Sequence, residues 1–221
     1  VLTQRSRIRV ISDYKVPVPT VSPEKGHESM RIFAGGGYGK DSGFVDLGLR
    51  FTYHSLEDNV KGYIDGMQVI ALDINGRYYF DAERFALNKL VLADIMNLQP
   101  MTRLFKSSSW MLHSGVEERS LSAEHSELVW YAGGAYGATI RLNSFSYFWL
   151  TGAVELQTAP RLDSALTAGA GPRGGFVLHT GSFGSLVAEG KYLWYLGDSE
   201  HTEGEVSVKY SLYPAINHSL T

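Results

Sequence analysis

The chain contains no cysteine. Disulfides, thiolate metal sites and a cysteine nucleophile are therefore excluded within it. It also lacks any apolar run approaching the ~20 residues of a spanning helix. Residues 1–10 are basic and have no apolar core of the kind a signal peptide carries. A membrane role would have to use strands, and an envelope location would require a leader removed ahead of Val1. A net charge of −3 gives no sign of the basic face that a nucleic-acid partner demands. Proline is scarce, at 7 in 221 residues, yet Pro17, Pro19 and Pro23 crowd together. Such a run is a stiff, extended connector. Residues 1–26 are read as the end of an upstream domain followed by a linker, and residues 27–221 as one β domain.

What the chain has is aromatic residues, with Tyr 13, Phe 10 and Trp 4, and a period of two. Val45, Leu47, Leu49 and Phe51 alternate with Asp46, Gly48, Arg50 and Thr52. Successive side chains of a strand point to opposite sides, so this segment has one apolar and one polar face. The same alternation runs over residues 127–142, 184–196 and 205–212. Weaker versions cover 30–38, 67–74, 84–95, 108–117, 146–156 and 165–180. In 84–95 the run Leu90 to Ala93 is apolar on both parities. Turn chemistry suited to hairpins falls at 40–43, Asn75-Gly76, Asn143-Ser144 and 180–182. Longer links are expected at 55–66, 97–106, 119–126 and 198–204. The expectation is an all-β, antiparallel up-and-down barrel of about ten strands, most near the ~9–11 residues that cross a bilayer.

Period two does not separate inside from outside, and a soluble barrel or sandwich with its apolar faces inward is the alternative. Three features favour a barrel of the outer-membrane type. The apolar faces carry Trp130, Tyr136, Tyr192 and Trp194 near strand ends, where an interfacial girdle would lie. They mix Ala132, Gly134, Ala138, Gly152, Ala188 and Gly190 with larger residues; fluid lipid fills such gaps, whereas a protein core would hold cavities. The polar faces place Asp46, Arg50, Arg141, Glu155, Glu189 and Lys191 at mid-strand, where they would pair inside a narrow, plugged lumen. Tyr147 and Trp149 share the polar parity and would fill that lumen further. Leu47, Leu49 and Phe51 would then face lipid. The end at Thr221 carries no terminal aromatic, so about two further strands, making twelve, are expected in the intact protein.

Candidate chemistry is sparse. Four His-Ser dipeptides begin at His54, His113, His125 and His218, but adjacent strand residues face opposite ways. His27 and Ser29 have same-face spacing, which suits a nucleophile and its base. They are the weak catalytic candidates. The acidic pairs Glu57-Asp58 and Glu117-Glu118 read as solvated charge. Gly35-Gly-Gly37 and the run 169–175 read as strands where side chains must be absent, with Pro172 marking a bulge or an edge. No metal constellation and no cofactor motif are recognised.

The segments Pro23-Glu-Lys-Gly-His27-Glu-Ser-Met-Arg31, Asp46-Leu-Gly-Leu-Arg-Phe-Thr-Tyr-His54 and Gly62-Tyr-Ile-Asp-Gly66 resemble a family of Gram-negative envelope proteins. Leu90-Val-Leu-Ala-Asp-Ile95, Leu98-Gln-Pro100 and Phe105-Lys-Ser-Ser-Ser-Trp110 are similar too. Those proteins carry an Lnb-type periplasmic domain of unknown function ahead of a barrel-like domain. The resemblance implies that any cysteine–histidine machinery lies in the upstream domain. It assigns no activity to the barrel. The expected role is an outer-membrane anchor that positions the upstream periplasmic domain, with lipid as its other partner. The alternatives are a barrel hydrolase or acyltransferase acting on lipids, and a soluble barrel holding a small apolar ligand.

Overall fold

The computed structural model describes residues 21–22, 25–27, 29–39, 42–120, 126–160, 166–181, 183–196, 201–215 and 218–220. Most of the connector read over 1–26 lies outside them, as does His125. The side chain of His218 is also outside them.

Ten long antiparallel strands follow one another in chain order and form one curled, half-barrel sheet. They are β1 (Met30–Gly39), β2 (Ser42–His54), β3 (Met67–Tyr79), β4 (Arg84–Asn97), β5 (Ser109–Ser120), β6 (Ser126–Arg141), β7 (Ser146–Thr158), β8 (Thr167–His179), β9 (Gly184–Leu196) and β10 (His201–Ala215). A short β11 (His218–Leu220) pairs with β10. The all-β, up-and-down expectation therefore holds. Among the described residues β1 bonds only to β2, and no ladder joins it to β10 or β11. No helix among them is long and apolar enough to cross a membrane.

β7 shows why the sheet takes this form. Phe148, Leu150, Gly152, Val154 and Leu156 are exposed on its convex face, while Tyr147, Trp149, Thr151, Ala153, Glu155 and Gln157 are buried on the concave one. Leu47 is 57% exposed and Phe51 44%, and Trp130, Tyr136, Tyr192 and Trp194 are exposed as well. Leu49 lies on the same face and is partly covered. A soluble barrel holding an apolar ligand required these faces to turn inward; they turn outward. A Cβ added at Gly152 would meet nothing within 4 Å, as expected where no protein packs against that face.

The core sits inside the curl. Leu56, Met96, Leu98, Met111, Tyr147, Trp149, Val177, Leu193 and Tyr195 form a buried cluster there. β8 makes room for its rings: a Cβ at Gly175 would come within 2.9 Å of Trp149, and one at Gly169 within 2.6 Å of Tyr195. The glycine run is therefore a consequence of close packing, as expected. Pro172 is neither at an edge nor at a bulge. The β8–β9 ladder lapses at Gly171 and Pro172, where the proline has no N–H to donate, and resumes in the same register from Ala170↔Trp194 to Arg173↔Lys191.

Two other sequence readings are corrected. Asn75-Gly76 is not a turn but lies within β3, because Phe85 of β4 packs over Gly76 so closely that a Cβ would sit 2.0 Å from its ring. Residues 201–204 are not a link; they open β10 and pair with β9. The double parity of 84–95 has a physical cause. A bulge at Leu92 shifts the β4–β5 register between Val91 and Ala93, so Lys89 and Val91 line the concave side before it and Asp94 and Met96 after it.

Candidate functional site

The concave side is polar, and most of its charges are paired. Glu155 in β7 is 1% exposed. Its Oε1 accepts from Arg119 at 2.8 Å and from the Tyr195 hydroxyl at 2.5 Å, and its Oε2 from His113 at 2.8 Å. Lys191 of β9 stands 3.4 Å from the same carboxylate. Arg119 also reaches Glu117 at 2.6 Å and Glu203 at 2.9 Å. Strands β5, β7, β9 and β10 thus meet around one buried anion. Arg173 and Glu189 pair at 3.2 Å. Asp46 takes a bidentate bond from Arg77, at 2.7 and 2.9 Å, with the guanidinium over the Phe44 ring. Asp46, Arg50, Arg141, Glu155, Glu189 and Lys191 each have an oppositely charged partner, and Arg141 is the most exposed of them.

The segment 55–66, between β2 and β3, turns its first residues into the curl, while Lys61 and Ile64 remain exposed. Ser55, Leu56, Asp58 and Asn59 are buried. Gly66 closes this plug with a φ of 81°, and its carbonyl accepts the Leu98 N–H at 2.7 Å. The plug is held to the wall on several sides. Arg50 bonds Glu57 at 3.3 Å and Asp58 at 3.1 Å, Arg31 of β1 stands 3.6 Å from Asp58, and Lys209 of β10 stands 3.4 Å from Glu57. The Tyr213 hydroxyl bonds the Glu57 carbonyl. At the other end of the plug Asp65 takes bonds from Arg141 at 2.9 Å and His179 at 3.0 Å.

These contacts set the acids of the plug. Burial raises the Asp58 carboxyl, but Arg50 and the Ser55 hydroxyl outweigh it and hold the group below the usual carboxylate range. Burial likewise raises Asp65, and the bonds from His179 and Arg141 bring it below its ordinary value. Glu57 and Asp58 are therefore not solvated charge; desolvation is offset by three cationic side chains. Glu117 and Glu118 are not free in solvent either, since Lys89 stands 3.1 Å from Glu117 and Tyr79 donates to Glu118 at 2.6 Å.

Above the plug a cavity of about 700 Å³ remains, lined by cationic and acidic side chains in equal number. Arg50, Asp94 and His113 are among its lining residues, and Arg50 Nε, Asp94 Oδ1 and His113 Nδ1 are buried with no hydrogen-bond partner among the described residues. Such a space suits polar contents.

Of the weak catalytic candidates, Ser29 is exposed, and His27 turns its Nε2 to His54 Nδ1 at 2.8 Å. Asp58 completes a group whose ligand atoms all lie within 4.8 Å of one another. No metal constellation is recognised in the sequence because the three residues come from the segment just ahead of β1, the end of β2 and the plug. A model of a domain of unknown function, DUF7840, matches residues 20–221. The chain belongs to this family. No curated protein and no solved structure matches it.

The DUF7840 chain brings together a further group that sequence reading missed. Ser185 Oγ lies 2.7 Å from His179 Nδ1, whose Nε2 meets Asp65. Ser185 is fully buried, and Tyr213 bonds it at 2.6 Å. Its members lie in β8, β9 and the plug, so spacing along the chain gives no signal for them.

Proposed function

We propose that this DUF7840 chain is an outer-membrane β-barrel domain with a plugged polar lumen that anchors and positions an upstream periplasmic domain. It carries no catalysis of its own in this reading. The observation that supports it is the inverted polarity: the buried face holds Arg50, His113, Glu155, Gln157 and Arg173, while the exposed face is built of Leu, Val, Phe, Trp and Tyr. Water would penalise that outer face and lipid would not. A 13-residue strand such as β7, tilted by ~40°, rises about 33 Å at ~3.3 Å per residue, enough for an apolar band of ~25 Å.

The outer aromatics support the same reading. Antiparallel strands alternate in direction, so the ends of β1, β3 and β9 and the starts of β4 and β6 share one rim. Tyr38, Tyr78, Phe85, Trp130, Tyr192 and Trp194 lie toward it. Phe51, Trp110, Phe148, Phe183 and Tyr210 lie toward the other, with mostly aliphatic and small residues between. Two aromatic belts are what two interfaces select. The test is folding of the purified chain in detergent and in buffer. The anchor reading expects a heat-modifiable folded band and insertion into liposomes only with an amphiphile. A folded monomer in plain buffer would overturn it.

One observation favours a lipid hydrolase as the second reading, namely the Ser185–His179–Asp65 chain of bonds. The complete burial of Ser185 favours a structural clamp for the plug. Labelling of wild type, but not of Ser185→Ala, by a fluorophosphonate would favour the enzyme.

A further inference from the structure

We propose that His27, His54 and Asp58 bind one divalent transition-metal ion of the zinc class, which ties the segment ahead of β1, the end of β2 and the plug together at one rim of the sheet. His27 precedes β1, His54 is the last residue of β2, and Asp58 lies in the plug. Register alone brings two of these segments to one rim; the inward turn of residues 55–58 brings the third.

The donor set is chemically apt. Two imidazoles and a carboxylate suit zinc, with a fourth position left for water. Imidazole nitrogens on a tetrahedral ion with bonds of ~2.05 Å stand about 3.3 Å apart. The 2.8 Å between His27 Nε2 and His54 Nδ1 therefore needs to open by only about half an ångström. Tyr63 stacks on both rings, at 4.4 Å from His27 and 4.5 Å from His54, and its hydroxyl bonds the His27 carbonyl at 3.0 Å. That aromatic plate orients both imidazoles toward the same point.

Asp58 is held from behind in the manner usual for a ligating carboxylate. Ser55 donates to Oδ2 through its N–H at 2.9 Å and its hydroxyl at 2.7 Å. Oδ1 has the looser contacts, 3.3 Å from Arg50 and 3.6 Å from Arg31, and is the oxygen that would turn to the ion. Arg50 and Arg31 stand against metal binding as nearby positive charge, and Glu57, which both of them contact, offsets it. A hydrogen-bonded histidine pair without metal is the competing account, and the two differ in stoichiometric binding.

The test uses the metal-free chain, kept folded in whichever of buffer or detergent holds it, and Co²⁺ as a spectroscopic stand-in. The expected result is an intense tetrahedral ligand-field band that saturates at one equivalent and is displaced by Zn²⁺. His27→Ala lies outside the strands, so the fold survives while the band is lost; His54→Ala loses it too. His201→Ala keeps it. Melting with and without Zn²⁺ gives a second readout, with a rise in Tm for wild type and none for His27→Ala. A weak octahedral spectrum in wild type, or a one-equivalent band kept by His27→Ala and His54→Ala, overturns the site.

Discussion

Removing the Glu155 carboxylate leaves Arg119, Lys191 and His113 facing one another in the lumen without their common anion. Breaking a buried ion pair from one side costs about 3–5 kcal/mol, most of it the penalty of the stranded charge. Glu155→Ala is therefore expected to lower the unfolding free energy by about that amount in urea titrations of the folded chain. A loss under about 1 kcal/mol would mean that the network behaves like surface ion pairs. The plug answers to pH through Asp58 and Asp65. Both carboxyls are held below 3.8 in the folded state. Groups depressed in this way contribute stability that is fully present above the unfolded value and is lost as pH falls through the folded one. Amide exchange of residues 55–66 is expected to stay slow from neutral to mildly acid pH and to quicken below about pH 4. Quickening already near pH 6 would point to histidine instead.

At the scale of the strand, β7 carries the sharpest division, since every second side chain from Phe148 to Leu156 is exposed and none of them is polar. An arginine in place of Val154 would sit on that face. In a lipid-embedded barrel it costs about 2–4 kcal/mol near the bilayer midplane, whereas on a water-exposed face it costs almost nothing. Stability of Val154→Arg in liposomes against wild type measures the difference. The strands themselves were legible because period two survives wherever one face is uniform. It blurred where bulges flip parity, at Leu92 in β4 and at the positive-φ Leu72 in β3, since one extra residue moves every following side chain to the other face. Asn75-Gly76 misled for another reason: glycine serves a close ring contact as well as a turn, and residue type alone does not separate the two uses. The lumen charges were legible as residues and not as pairs. Glu155 meets His113 and Lys191 through register across an intervening strand, β6 on one side and β8 on the other, and Asp58 meets Arg50 only because the plug turns inward. The metal-type group of His27, His54 and Asp58 was invisible for the same cause.

At the scale of the whole molecule, the curl is filled from within. An apolar cluster around Trp149 lies toward the plug, charged networks occupy the rest, and the plug joins β1 to β10 through Arg31, Glu57 and Lys209. In the anchor reading the convex face meets lipid and the concave face does not. The four tryptophans can report on it, because Trp110, Trp130 and Trp194 are exposed on the outside while Trp149 is fully buried inside. Single-tryptophan variants folded into liposomes with brominated acyl chains give the measurement. Strong quenching is expected for the chains that keep only Trp110, Trp130 or Trp194, and little for the chain that keeps only Trp149. Equal quenching of all four, or none in any, would contradict it.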